Sequence, residues 1–113
     1  MSEQFKNLIG KEVLSVEFSE NTLRFNLKHD AVIYEAVGDC CSSSFIEDLD
    51  NIEALQNAVL ESVDVVEGEV AEKEDWKVSE WTFYKFKTNK GLCTLSFRND
   101  SNGYYNGRLE LRK

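Results

Sequence analysis

Gly38-Asp39-Cys40-Cys41-Ser42-Ser43-Ser44-Phe45-Ile46-Glu47-Asp48-Leu49 is the stretch on which the fold turns. It joins a run with strand composition, Ala31 to Val37, to a run with helical spacing. Ser44 suits a helix N-cap, and Glu47, three residues on, suits its capping-box partner. Phe45, Ile46, Leu49 and Ile52 then fall on or near one helical face. The pattern predicts one main helix that starts after Ser44 and ends near Asn57.

Strand patterns surround that helix. Val13 to Phe18 is rich in β-formers. Thr22-Leu23-Arg24-Phe25-Asn26-Leu27-Lys28 alternates, with Leu23, Phe25 and Leu27 on one face. Ser19-Glu20-Asn21 and His29-Asp30 serve as turns, so these runs and Ala31 to Val37 predict an antiparallel meander. Val59 to Val66 returns to strand. Residues 67–77 are acidic, lack periodicity and contain Gly68, which predicts an exposed mobile loop. Ser79 to Thr88, Gly91 to Arg98 and Tyr104 to Arg112 are three further strands, joined by turns at Asn89-Lys90-Gly91 and Asn99 to Gly103. Phe5 to Glu17 and Ile52 to Asp64 form a weak repeat: a helical turn, a Gly or Asn stop, then a strand. The expected fold is α+β in a single domain over residues 1–113. It has a mostly antiparallel sheet of about six or seven strands, the main helix after the third strand, and a short N-terminal helical turn.

At 113 residues the chain supports one modest core, and its 42% hydrophobic content with seven Phe, four Tyr and two Trp supports a packed globule. No apolar run is long enough for a membrane helix. Met1 to Gln4 lacks the features of a signal peptide, and three cysteines suit a reducing compartment better than a disulfide framework. The expected location is the cytoplasm. The net charge of −8 divides unevenly, −13 over residues 1–80 and +5 over residues 81–113. Such a chain repels duplex nucleic acid and is drawn to a basic protein surface. Solubility alone would also account for the acid.

Enzymatic chemistry is poorly served. Cys41 precedes the predicted helix N-terminus, where a thiol pKa can fall. Its only possible imidazole base, His29, lies a strand-length away. Cys40, Cys41, Cys93 and His29 match a zinc set in number but not in spacing. The carboxylates Glu47, Asp48, Asp50 and Glu53 read as a solvated face. No phosphate loop, nucleophile elbow or zinc-protease motif is present. The chain is therefore expected to be non-enzymatic, without metal or cofactor.

The C-terminal strands are richer. Alternation puts Tyr84, Phe86, Cys93, Leu95, Phe97, Tyr105, Leu109 and Leu111 on one face. The other carries Trp81, Phe83, Lys85, Thr94, Ser96, Arg98, Tyr104 and Arg108. Aromatics interleaved with bases can stack a nucleobase and hold a phosphate, or anchor a protein partner. A further core against the meander or the helix is the plain alternative.

Three segments resemble an uncharacterised family of small proteins encoded by bacteriophages and prophages. They are Gly38 to Leu49 with its Asp-Cys-Cys word, Trp81 to Thr88, and Ser101-Asn102-Gly103-Tyr104-Tyr105. Some members carry a histidine in the helix after the cysteine pair, where this chain has Glu47 and Asp48. The resemblance implies a phage gene product acting in the bacterial cytoplasm on host machinery, with no catalytic residues to carry over. The expectation is a protein that binds and modulates a host or defence protein with a basic surface, with no membrane partner, and with a homodimer also compatible. The acidic residues Glu69, Glu72, Glu74 and Asp75 would meet the basic site, and Trp81, Tyr104 and Tyr105 would anchor. The alternative is a sponge for a nucleotide signal built from Trp81, Phe83, Arg98, Tyr104 and Arg108.

Overall fold

A computed structural model describes residues 5–38, 43–72, 78–101 and 107–112, with the side chains of all of these except 69–72 and 101. Within them the chain is nearly all β. Nine strands run in the order β1 (Glu12–Val13), β2 (Ser15–Phe18), β3 (Thr22–Asn26), β4 (Ala31–Gly38), β5 (Ser43–Asp50), β6 (Ala58–Glu72), β7 (Val78–Thr88), β8 (Gly91–Ser101) and β9 (Gly107–Leu111). One sheet has the order β1-β6-β7-β8-β5 and the other β2-β3-β4-β9. Every described pairing is antiparallel.

The expected α+β class with a main helix is thus overturned. Ser43 to Asp50 is an edge strand, and among the described residues the only helical element after it is a single 3-10 turn, Ile52–Leu55. The reason is a β-bulge. The register against β8 slips between Ile46 and Asp48, so Glu47 is an extra residue. Ile46 pairs with Phe97 and Leu49 with Leu95, all four of them buried. Two inward residues are therefore three apart, which mimics a helical face. The Ser44 hydroxyl caps nothing; it donates to Asn99 Oδ1 at 2.7 Å. Asn51, with φ of 60°, then turns the chain out of the strand.

The expected acidic loop over residues 67–77 is also corrected. β6 continues to Glu72 and β7 starts at Val78, so residues 67–72 are strand; residues 73–77 lie outside the described residues. A second bulge, between Glu67 and Val70, takes in Gly68 and breaks the alternation that would have marked a strand.

β2, β3 and β4 form the meander read from the alternation, with turns closed by Ser19 N–H to Thr22 O and Leu27 N–H to Asp30 O. The two sheets face each other across one core. Phe25 of β3 meets Phe86 of β7 with ring centroids 5.5 Å apart. Phe5, from the N-terminal turn, contacts Phe25, Tyr34, Tyr84 and Phe86. These edge-on and tilted aromatic pairs tie the two layers together at the centre of the core.

The weak repeat has a structural counterpart. Gly10 and Asn57, its equivalent stops, both take positive φ, at 88° and 51°. Leu8 and Leu55 are both fully buried. The two strand entries then pair with each other, Glu12 opposite Val59 and Val13 opposite Ala58.

The edges differ in cover. Ile46 N–H on β5 donates to Glu20 O of the β2–β3 turn, which blunts that edge. β1 covers β6 only at Ala58 and Val59, with Leu60 bonded to Gly10 and Lys11. Beyond Leu60, no described strand lies along that side of β6.

Candidate functional site

The outer face of the five-stranded sheet is left open by the second sheet and carries a dense constellation. In β7, Tyr84 and Phe86 enter the core, so Trp81 and Phe83 point outward. Arg98 of β8 stands opposite Trp81 on one side and Phe45 of β5 on the other. Its guanidinium carbon lies 5.2 Å from the Trp81 ring centroid and 5.7 Å from that of Phe45. Both distances fall within cation–π range.

Arg98 is also committed to polar partners. Nε donates to Asp100 Oδ1 at 2.8 Å, Nη1 to Glu47 Oε2 at 3.3 Å and Nη2 to Ser79 Oγ at 3.2 Å. Ser79, fully buried, donates to Asp100 Oδ1 at 2.7 Å. Trp81 Nε1 donates to Glu47 Oε1 at 3.3 Å. The hydrogen bonds from Arg98, first to Asp100 and then to Glu47, raise its pKa above the ordinary guanidinium range.

Next to this network lies an open groove of about 450 Å³, lined among the described residues by Glu47, Gly68, Trp81 and Phe83. An adjoining depression of about 200 Å³ is lined by Glu67, Gly68, Glu80, Trp81 and Thr82. Gly68 is required there. A Cβ at that position would collide with the Phe83 ring and come within 3.1 Å of Trp81 Cβ and O. The absent side chain lets Phe83 lie against β6, and the groove forms beside it.

The expected site residues separate. Trp81, Phe83 and Arg98 come together. Arg108 does not join them: it sits on β9 in the other sheet, exposed, and pairs with Glu110 at 3.4 Å. Glu69 and Glu72 are on β6, with side chains outside the described residues; Glu74, Asp75, Tyr104 and Tyr105 lie outside them altogether, as do Cys40 and Cys41. Sequence reasoning missed Glu47 as a groove residue, because a helix was expected there. It also missed Phe45, Ser79, Asp100 and Gly68. A lone glycine inside a strand pattern was the available signal for the last.

The described thiol is not reactive. Cys93 is fully buried, and burial, followed by the nearby Asp50 and Asp48 carboxylates, pushes its pKa up to about 12. No group of three metal-ligating side chains occurs among the described residues. No described helix is long and apolar enough to cross a membrane.

The protein is thus a two-sheet, all-β domain with an aromatic and acidic groove on one sheet's outer face. The chain belongs to the family described as Domain of unknown function (DUF7448), whose model matches residues 6–111. No curated protein and no solved structure matches it.

Proposed function

We propose that this is a non-enzymatic, phage-encoded accessory protein that binds and modulates a host or defence protein in the bacterial cytoplasm. It presents an acidic surface and aromatic anchors to a basic site on that partner. The observation that carries this reading is the Trp81–Phe83 groove on the outer face of the five-stranded sheet, with the Glu47 carboxylate in its lining. Trp81 supplies rigid apolar area of the kind that dominates protein interfaces. The net charge of −8 steers the molecule toward a basic partner. The phage assignment rests on the resemblance of Gly38 to Leu49, Trp81 to Thr88 and Ser101 to Tyr105 to phage and prophage proteins.

The alternative, a nucleotide-signal sponge, draws on the same aromatic walls, and the groove's volume suits a small molecule. Arg98, however, is already engaged by Asp100, Glu47 and Ser79, and the two carboxylates offset the charge a phosphate would need. Protein binding therefore ranks first.

The test is affinity capture from host lysate with the wild type, Trp81→Ala, and a charge reversal of Glu69, Glu72, Glu74 and Asp75. Each capture is repeated at low and high salt, and thermal shift is run in parallel against a nucleotide panel. A partner lost in both variants and at high salt supports the reading. A partner retained by both variants, or a nucleotide that stabilises the protein, counts against it.

A further inference from the structure

Resting on that reading, we propose that the Trp81–Phe83 groove receives one guanidinium group, an arginine side chain of the partner. The molecule already holds one guanidinium in this way. Arg98 lies against Trp81 and Phe45, with its N–H donors bonded to the carboxylates of Glu47 and Asp100. The neighbouring groove repeats the same ingredients. Trp81 and Phe83 form aromatic walls, and Gly68 leaves a side-chain-free floor. Glu47, 39% exposed and bonded to Arg98 through Oε2, stands at the lip.

The charge balance favours a cation. Arg98 is offset by Glu47 and Asp100, and Lys85, two residues along from Phe83 on the same face, stands opposite Asp64 in the register. Asp48, opposite Ser96 on this same outer face, has no described basic partner within ion-pair distance. An anion would therefore meet net acid, whereas a flat, weakly hydrated guanidinium can stack on an indole and meet a carboxylate edge-on. An ammonium meets the charge but not the stacking. A neutral apolar group meets the aromatic walls but not the charge.

N-acetyl-arginine amide, N-acetyl-lysine amide and N-acetyl-citrulline amide serve as probes. Citrulline keeps the shape of arginine and removes its charge. Trp76→Phe leaves Trp81 as the single tryptophan, so its indole N–H resonance reports directly. The arginine probe is expected to shift that resonance and the Gly68 amide saturably, with citrulline at least about tenfold weaker. Glu47→Gln, which keeps an acceptor for the Trp81 indole, and Phe83→Leu should each weaken the arginine response several-fold while melting near the wild-type temperature. Equal responses to arginine and citrulline, equal responses to arginine and lysine, or no response at all would each overturn the assignment. If the probe fails while Trp81→Ala still abolishes partner capture, the groove is an apolar anchor and only this inference falls. If the probe binds while no partner is captured, the site stands and the proposed function falls.

Discussion

Replacing Arg98 with alanine would strip three things at once: the cation 2.8 Å from Asp100, the donor to buried Ser79, and the charge between Trp81 and Phe45. The Arg98 side chain is 17% exposed and that of Asp100 12%, so water only partly replaces what is lost. Breaking such a pair from one side costs about 2–4 kcal/mol. Lysine keeps the charge but lacks the planar fork, so Arg98→Lys should recover less than half of the loss in urea unfolding. Cys93 acts on stability with the opposite chemistry. Its thiol is neutral in the fold, and its pKa is raised to about 12 from an ordinary value near 9. The unfolded chain therefore loses that proton first as the pH rises. The stability tied to the neutral thiol is whole below about pH 9 and drains away toward about 12. Cys93→Val, close in volume, should flatten the fall of melting temperature across that window and leave the neutral-pH value within a few degrees. An unchanged slope would mean the thiol is not the titrating group.

Among the elements, β5 teaches most. Its residues carried a correct inward pattern, Ile46 and Leu49, and a misleading interval between them. The interval comes from the Glu47 bulge, which only the partner strand β8 reveals. The same holds for Gly68, whose bulge hid the continuation of β6. The meander was legible because its alternation is unbroken, and so was the shared face of Trp81, Phe83 and Arg98, though not which way that face points. Arg108 was misjudged because adjacent runs of sequence were assumed to share a sheet, while β9 pairs with β4. Bulges and strand order are long-range facts, set by the partner rather than by the run itself. Deleting Glu47 tests the point. In a helix the deletion would rotate everything after it by about 100°. In this strand it removes the extra residue and leaves Asp48 opposite Ser96 and Leu49 opposite Leu95. The shortened protein should keep its far-UV circular dichroism spectrum and lose about 1–2 kcal/mol, chiefly the Arg98 ion pair and the strain of a tighter connection. Global unfolding would show that the bulge itself is indispensable.

At the scale of the whole molecule, the sequence's charge asymmetry is folded into a different one. The basic C-terminal third supplies the central strands β7 and β8, while the acidic strands β6 and β5 lie outside them in the sheet. Lys85 faces Asp64 across the β6–β7 pair. Acid is thereby displayed along the sheet margins and base is held inside. The margin that matters is β6 beyond Leu60. There Val65 and Val66 are 42% and 41% exposed on a strand whose outer hydrogen-bonding side has no described neighbour. An edge of that kind templates pairing with another copy unless something opposes it. Exposed Glu61, Asp64 and Glu67 oppose it. In an antiparallel pairing of two β6 edges, carboxylates would meet carboxylates, on molecules each carrying −8. Removing the carboxylate charge without changing shape, in the triple variant Glu61→Gln, Asp64→Asn and Glu67→Gln, should promote concentration-dependent self-association in sedimentation velocity. If the triple variant sediments as the wild type does at every concentration, the acid on β6 is not what keeps the edge unpaired, and the bulges flanking Ser62 to Glu67 must be sufficient to do so.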